Sequence, residues 1–108
     1  MRVILDECLP RRLLRDLPDH AVTTVPRCGW GGIDDGPLLS RIAGEFDVFV
    51  TMDTNVIFQQ NLSACPFCII VLHATSNRYE SLMPLIPALQ KAVNVANAGH
   101  VEHLHIGR

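Results

Sequence analysis

Long hydrophobic runs are missing from this chain. The longest, Phe67–Leu72, falls far short of the roughly 20 residues that cross a bilayer. The apolar start at the N-terminus is broken at once by Asp6 and Glu7, which argues against a secretory leader. These absences predict a soluble, cytoplasmic protein with no membrane partner. An excess of positive charge is missing too. Nine Lys and Arg stand against eleven Asp and Glu, the formal net charge is −2, and Lys91 is the single lysine. A basic coat for nucleic acid is thereby excluded, although a local basic patch is not. Cysteine is limited to Cys8, Cys28, Cys65 and Cys68, which in a cytoplasmic protein read as reduced thiols. Repeats, low-complexity tracts and linkers are lacking, so 108 residues make one domain. That length buries one core without a disulfide or a structural metal. A hydrophobic content of 48% with 19% charge excludes a disordered chain.

What is present is an alternation of strands and helices. Arg2–Leu5 is a short apolar strand, and Pro10 opens a helix whose apolar face is Leu13, Leu14 and Leu17. Ala21–Val25 is a β-branched second strand. A glycine-rich loop around Trp30 spans Pro26–Gly36, and Asp34 or Asp35 caps the helix after it. That helix carries Leu38, Leu39, Ile42, Ala43 and Phe46 at helical spacing. Asp47–Thr51 and Phe67–Leu72 are strands apolar on both faces, as inside a covered parallel sheet. A short helix is expected over Asn55–Asn61. A longer one is expected over Leu82–Ala98, starting near Pro84 or Pro87 and stopping at Gly99. Val101–Ile106 is a final strand. The pattern predicts a three-layer α/β/α sandwich around a mainly parallel sheet, with right-handed crossovers.

In such sheets ligands sit beyond the carboxyl ends of the strands. Asp6 and Glu7 follow the first strand, Asp53 follows the third, and Asp34 and Asp35 open a helix at the same rim. For any one aspartate, a helix cap is the simpler role. As a set they repel one another unless a cation neutralises them, and hard divalent cations take oxygen ligands. Such an ion can activate water and stabilise a phosphoryl transition state.

Three short motifs then fall in order along almost the whole chain. Val3-Ile4-Leu5-Asp6-Glu7-Cys8-Leu9-Pro10 resembles the opening of PIN-like proteins, whose usual form reads Asp-Glu-Asn-Leu-Pro. Gly29-Trp30-Gly31-Gly32 with Asp35 resembles that family's second block, and Val50-Thr51-Met52-Asp53-Thr54-Asn55 its third. The turn Ser76-Asn77-Arg78 also fits. The resemblance implies a PIN-like fold and a Mg²⁺- or Mn²⁺-dependent ribonuclease, commonly the toxin of a type II toxin–antitoxin module held inactive by a cognate antitoxin. It implies Asp6 and Asp53 as core metal ligands, Asp35 as the third acid and Glu7 as a helper. Arg12, Arg15, Arg78, Asn55 and Ser76 would contact RNA. A homodimer is compatible with it. Two departures stand out: Cys8 replaces the usual Asn, and no acid follows the fourth strand until Glu80.

Other features keep two readings each. Arg12 and Arg15 lie one turn apart and grip phosphates or form a solvated face with Arg11. Arg78 meets phosphate or pairs with a nearby acid. Trp30 stacks on a base or packs on the core. Cys65-Pro66-Phe67-Cys68 precedes a strand, the wrong context for a redox motif, and lacks marked partners for zinc. His103 and His105 share a strand face, where they bind a metal adventitiously or merely mark an exposed edge. Two alternatives to the nuclease use the same residues. One is an inert binding module with a partner surface near Phe46, Phe58 or Tyr79. The other is a receiver-like phosphoacceptor with Asp53 and Thr75, though it lacks a lysine after the last strand.

Overall fold

The computed structural model describes residues 1–56 and 65–106. Five strands form one sheet in the order β2-β1-β3-β4-β5: β1 (Arg2–Leu5), β2 (Ala21–Thr24), β3 (Val48–Thr51), β4 (Cys68–His73) and β5 (Val101–His105). Every pairing is parallel. The inner strands are apolar on both faces because both faces are covered. Val48–Thr51 is wholly buried, and Cys68–Leu72 likewise. The edge strand β2 is half-exposed along most of its length.

Side-chain alternation sorts the core into two layers. Val3, Leu5, Val48, Val50, Ile70, Leu72 and Leu104 face one way. Leu9, Leu13 and Leu17 meet them there, together with Leu82, Leu85, Leu89 and Val93. Ile4, Phe49, Ile69 and Val71 face the other way, onto Leu38, Leu39 and Ile42 of α1 (Asp35–Ile42). Each fully buried aliphatic or aromatic side chain contributes about 1.5–3 kcal/mol.

The connections depart from expectation where proline acts. The segment after Pro10 is a 3-10 helix, Arg11–Asp16, rather than an α-helix. Pro18 forces Leu17 out of helical backbone, leaving only six residues between the two prolines' influence. Of the helix expected over Leu82–Ala98, the α-helical part is α3 (Ile86–Asn94), which starts beside Pro87 as expected; ahead of it run α2 (Tyr79–Leu82), which was not expected, and a 3-10 turn (Met83–Leu85). Pro84 and Pro87 supply no N–H to a continuous ladder. Gly99 does not end α3, whose C-cap is Val95. It turns the chain into β5 with φ +78°, and its N–H donates to the Phe67 carbonyl (3.1 Å). The expected helix over Asn55–Asn61 lies for the most part outside the described residues, as does Phe58.

One crossover breaks the handedness rule. The chain passes from β1 to β2 through the 3-10 helix Arg11–Asp16, and from β4 to β5 through α2 and α3. Both connections cover the same face but run in opposite directions along the sheet. The two crossovers therefore have opposite hands, and right-handedness holds for at most one of them. The shared face is tied together across the gap: the Tyr79 hydroxyl donates to Asp16 Oδ2 (2.8 Å), and the Gln90 amide donates to the Asp16 carbonyl (2.7 Å).

Candidate functional site

The C-terminal ends of β1 and β3 are neighbours in the sheet, which brings Asp6 beside Thr51 and Asp53. Asp6 is buried, with 9% of its surface exposed. Its Oδ1 accepts from the Glu7 N–H (2.8 Å), and its Oδ2 accepts from the Thr51 hydroxyl (2.6 Å). The same hydroxyl oxygen accepts from the Asp53 N–H (2.9 Å). Thr51, fully buried, is thus a bridge between the first acid and the backbone of the second. Asp53 then turns its Oδ1 to the Asn55 N–H (2.9 Å), a local side-chain turn that fixes the carboxyl at the strand end.

Asp35 comes from the other layer as the first residue of α1. Asp34 occupies the cap position, but its side chain makes no cap hydrogen bond; neither aspartate caps the helix by its carboxylate. Partial burial raises the Asp35 pKa, and the charges of Asp53, Asp6 and Asp34 raise it further. Burial also raises the Asp6 pKa, against the pull of the Thr51 and Glu7 hydrogen bonds. Asp35 therefore feels the charges of Asp53 and Asp6. Among the described residues none of them is in an ion pair. No group of three metal-binding side chains among the described residues stands ready to hold an ion as it is.

Protonation of these acids is linked to folding. A carboxyl whose folded pKa exceeds its ordinary value of 3.8 binds a proton more tightly when folded. The favourable contribution is complete below that ordinary value and is lost as pH rises through the raised folded value. The metal-free protein should therefore lose stability on that rise. Asp35→Asn should flatten the loss and be more stable than the parent at neutral pH. Urea unfolding of both proteins across the acid-to-neutral range checks this; parallel curves would mean that neither burial nor repulsion penalises an ionised Asp35.

Glu7 faces outward, and both carboxylate oxygens accept from the Gly32 N–H (3.2 and 3.3 Å). It clasps the glycine-rich loop, where Gly32 has φ +78°. Trp30 packs edge-on against Phe46, with ring centroids 6.1 Å apart, and rests on the α1 side of the core. Of its two readings, the structure displays the core contact.

The arginines gather at the other side of the rim. In a 3-10 helix residues three apart are eclipsed, so Arg12 and Arg15 share a face. The Arg12 guanidinium lies over the Tyr79 ring (4.1 Å). Glu80 meets Arg12 at 3.9 Å and Arg78 at 4.0 Å. These pairs are exposed and contribute little to stability. The Ser76 hydroxyl meets that of Ser81 (2.8 Å) and accepts from the Arg78 N–H (3.2 Å), shaping the turn into α2. Asn55 is exposed.

Sequence reasoning placed Thr51 and Asn77 within motifs but gave neither a role. The Asn77 amide donates to the Cys8 carbonyl (3.0 Å), which ties the turn after β4 to the Asp6 loop. The Cys8 thiol lies 3.7 Å from Asp6 Oδ2 and 3.9 Å from the Thr51 hydroxyl, a weak contact beside the acid. The four thiols are free; Cys68 is buried in the core, and burial raises its pKa.

The fold and rim define a class: an all-parallel α/β sheet protein whose inner strands carry, at their C-terminal edge, carboxylates that form no ion pair among the described residues. Compared with protein-family models, curated proteins and solved structures, the chain matches none. Among the described residues no helix is long and apolar enough to cross a membrane.

Proposed function

We propose that this chain is a PIN-like, Mg²⁺- or Mn²⁺-dependent ribonuclease that hydrolyses phosphodiester bonds, and that it is the toxin partner of a cognate antitoxin protein. One observation carries the reading. Asp6, buried at the end of β1, shares the Thr51 hydroxyl with the backbone of Asp53 at the end of β3, and the charges of both raise the pKa of Asp35. Carboxylates gathered with no basic partner among the described residues suit a hard divalent cation by charge and by donor type. Asp6, Asp53 and Asp35 would hold it. When bound, such an ion generates a nucleophilic water and offsets charge on a phosphodiester.

The chain's own residues do the rest. The Glu7 N–H and Thr51 hydroxyl hold Asp6 in one orientation, and the Asn55 N–H holds Asp53. Glu7 keeps the Gly31-Gly32 turn against the acids. Arg12, Arg15 and Arg78 give the rim a local positive side on an otherwise acidic chain, suited to grip an RNA backbone. Asn55 and Ser76 would add polar contacts. Purified protein incubated with RNA and Mn²⁺ or Mg²⁺ should cleave it, and EDTA should stop the cleavage. Intact RNA under both metals would favour the inert binding module instead.

The strand order favours a second reading. The order β2-β1-β3-β4-β5 is the one that flavodoxin-like receivers use, and Asp53 lies at the strand end where a receiver carries its phosphoacceptor. Lys91 lies on α3 and does not follow β5. Incubation with acetyl phosphate separates the readings: a phosphoryl group on Asp53 supports the receiver, and an unmodified protein excludes it.

A further inference from the structure

We propose that His73, His103 and His105 form a binding site for a borderline divalent transition metal such as Zn²⁺ or Ni²⁺, built of nitrogen donors and separate from the carboxylates. Register brings the residues together. His73 ends β4 and pairs directly with His105 on β5, while His103 precedes His105 by two residues and shares its face. The side chains confirm the grouping. His73 Nε2 and His103 Nδ1 face each other at 2.8 Å. The His73 and His105 rings stack with centroids 4.2 Å apart and planes within 9°. His103 and His105 are exposed and His73 is half-buried, so an ion can reach all three.

The 2.8 Å contact between two ring nitrogens is held by one shared proton, because one ring must accept. A metal that displaced that proton would sit off the line between the two nitrogens, once both rings turn their lone pairs toward it. Metal–nitrogen bonds of ~2.0–2.1 Å put two ligand nitrogens about 2.8–3.4 Å apart, from right-angled to tetrahedral geometry. The separation of the two nitrogens already stands at the near end of that range. The third nitrogen does not yet point there: the three side chains do not converge as they stand. His105 lies at an exposed strand end, so its ring can leave the stack by rotating about its side-chain bonds. Imidazole selects Zn²⁺, Ni²⁺ or Cu²⁺ over the Mg²⁺ that carboxylates take. Occupancy would fasten the edge strand β5 to β4.

The test is calorimetric titration of the full chain with Zn²⁺, and separately Ni²⁺, near neutral pH with excess Mg²⁺ present. One equivalent should bind, and the ring resonances of His73, His103 and His105 should shift while those of His20 and His100 stay. His103→Gln and His105→Gln, both at exposed positions that the fold tolerates, should each weaken binding about tenfold or more. Asp53→Asn should leave it unchanged. Absence of binding, undiminished binding in both histidine variants, loss of binding in Asp53→Asn, or shifts centred on the cysteines would each overturn the proposal.

Discussion

Replacing Asp53 by asparagine is expected to lower Mn²⁺-dependent RNA cleavage about a hundredfold or more, while leaving the fold intact. The two halves of that expectation have separate physical causes. Asn keeps an oxygen where Asp53 Oδ1 accepts from the Asn55 N–H, and the Asp53 N–H still donates to Thr51. The local turn therefore survives, and the urea midpoint should not fall. What changes is charge. The amide removes one of the carboxylates that a hard cation needs, and it relieves part of the repulsion on Asp35. Cleavage measured under saturating Mn²⁺, with urea unfolding as the control, reads both effects. Retained cleavage in a folded Asp53→Asn protein would move the chemistry away from this rim. Lost cleavage together with lost stability would assign Asp53 a structural role instead.

The same experiment bears on what the sequence made legible. Strand existence and order of elements followed from apolar runs bounded by breakers, and the sheet is parallel because β-runs alternate with helical ones. Which strand lies beside which was not written in the pattern. Alternation decides faces, not neighbours, so the opposite hands of the β1–β2 and β4–β5 crossovers could not be read. On the face that both connections share, Tyr79 and Gln90 dock on Asp16, a tertiary contact between residues more than sixty positions apart. The helix start beside Pro87 was legible, and the short helix Tyr79–Leu82 ahead of it was not. Proline marks an end of regular hydrogen bonding, while the 3-10 turn between the two helices depends on how Leu82 and Leu85 reach the core.

At the rim, the acids could be placed because strand ends and helix starts can be placed. Thr51 could not, since a strand threonine reads as a β-former until its hydroxyl is seen between two aspartates. A pattern does signal it in retrospect: a threonine two residues before an aspartate, at the end of an otherwise wholly apolar strand. His73 escaped notice for a similar reason. The C-terminal histidines share a strand in sequence, but His73 joins them only through the β4–β5 register. Lone polar residues at the ends of buried strands are therefore the positions where sequence reading has most to gain from register.

Thr51→Val is expected to destabilise the protein by about 2–3 kcal/mol, and by more at neutral pH than in acid. Valine nearly matches threonine in shape, so packing at this fully buried position is kept and only the hydroxyl is lost. Two partners are then stranded. Asp6 Oδ2 retains only the weak Cys8 thiol at 3.7 Å, and the Asp53 N–H loses its acceptor. Among the described residues no buried side-chain oxygen or nitrogen lacks a partner in the parent protein, so this vacancy would be new. For a domain of this length the loss corresponds to a fall in Tm of about 10 °C or more. The pH dependence follows from Asp6. The Thr51 hydrogen bond restrains a pKa that burial raises, so removing it lets that pKa climb further. The extra cost of an ionised Asp6 is present above the climbing value and disappears below it, which narrows the gap to the parent as pH falls. Thr51→Ser keeps the hydroxyl and sacrifices one methyl, at about 1 kcal/mol, with no change in pH dependence. Urea unfolding of the three proteins at neutral and acid pH distinguishes these outcomes. A valine variant as stable as the serine variant at both pH values would mean that the hydroxyl does not bridge the two aspartates.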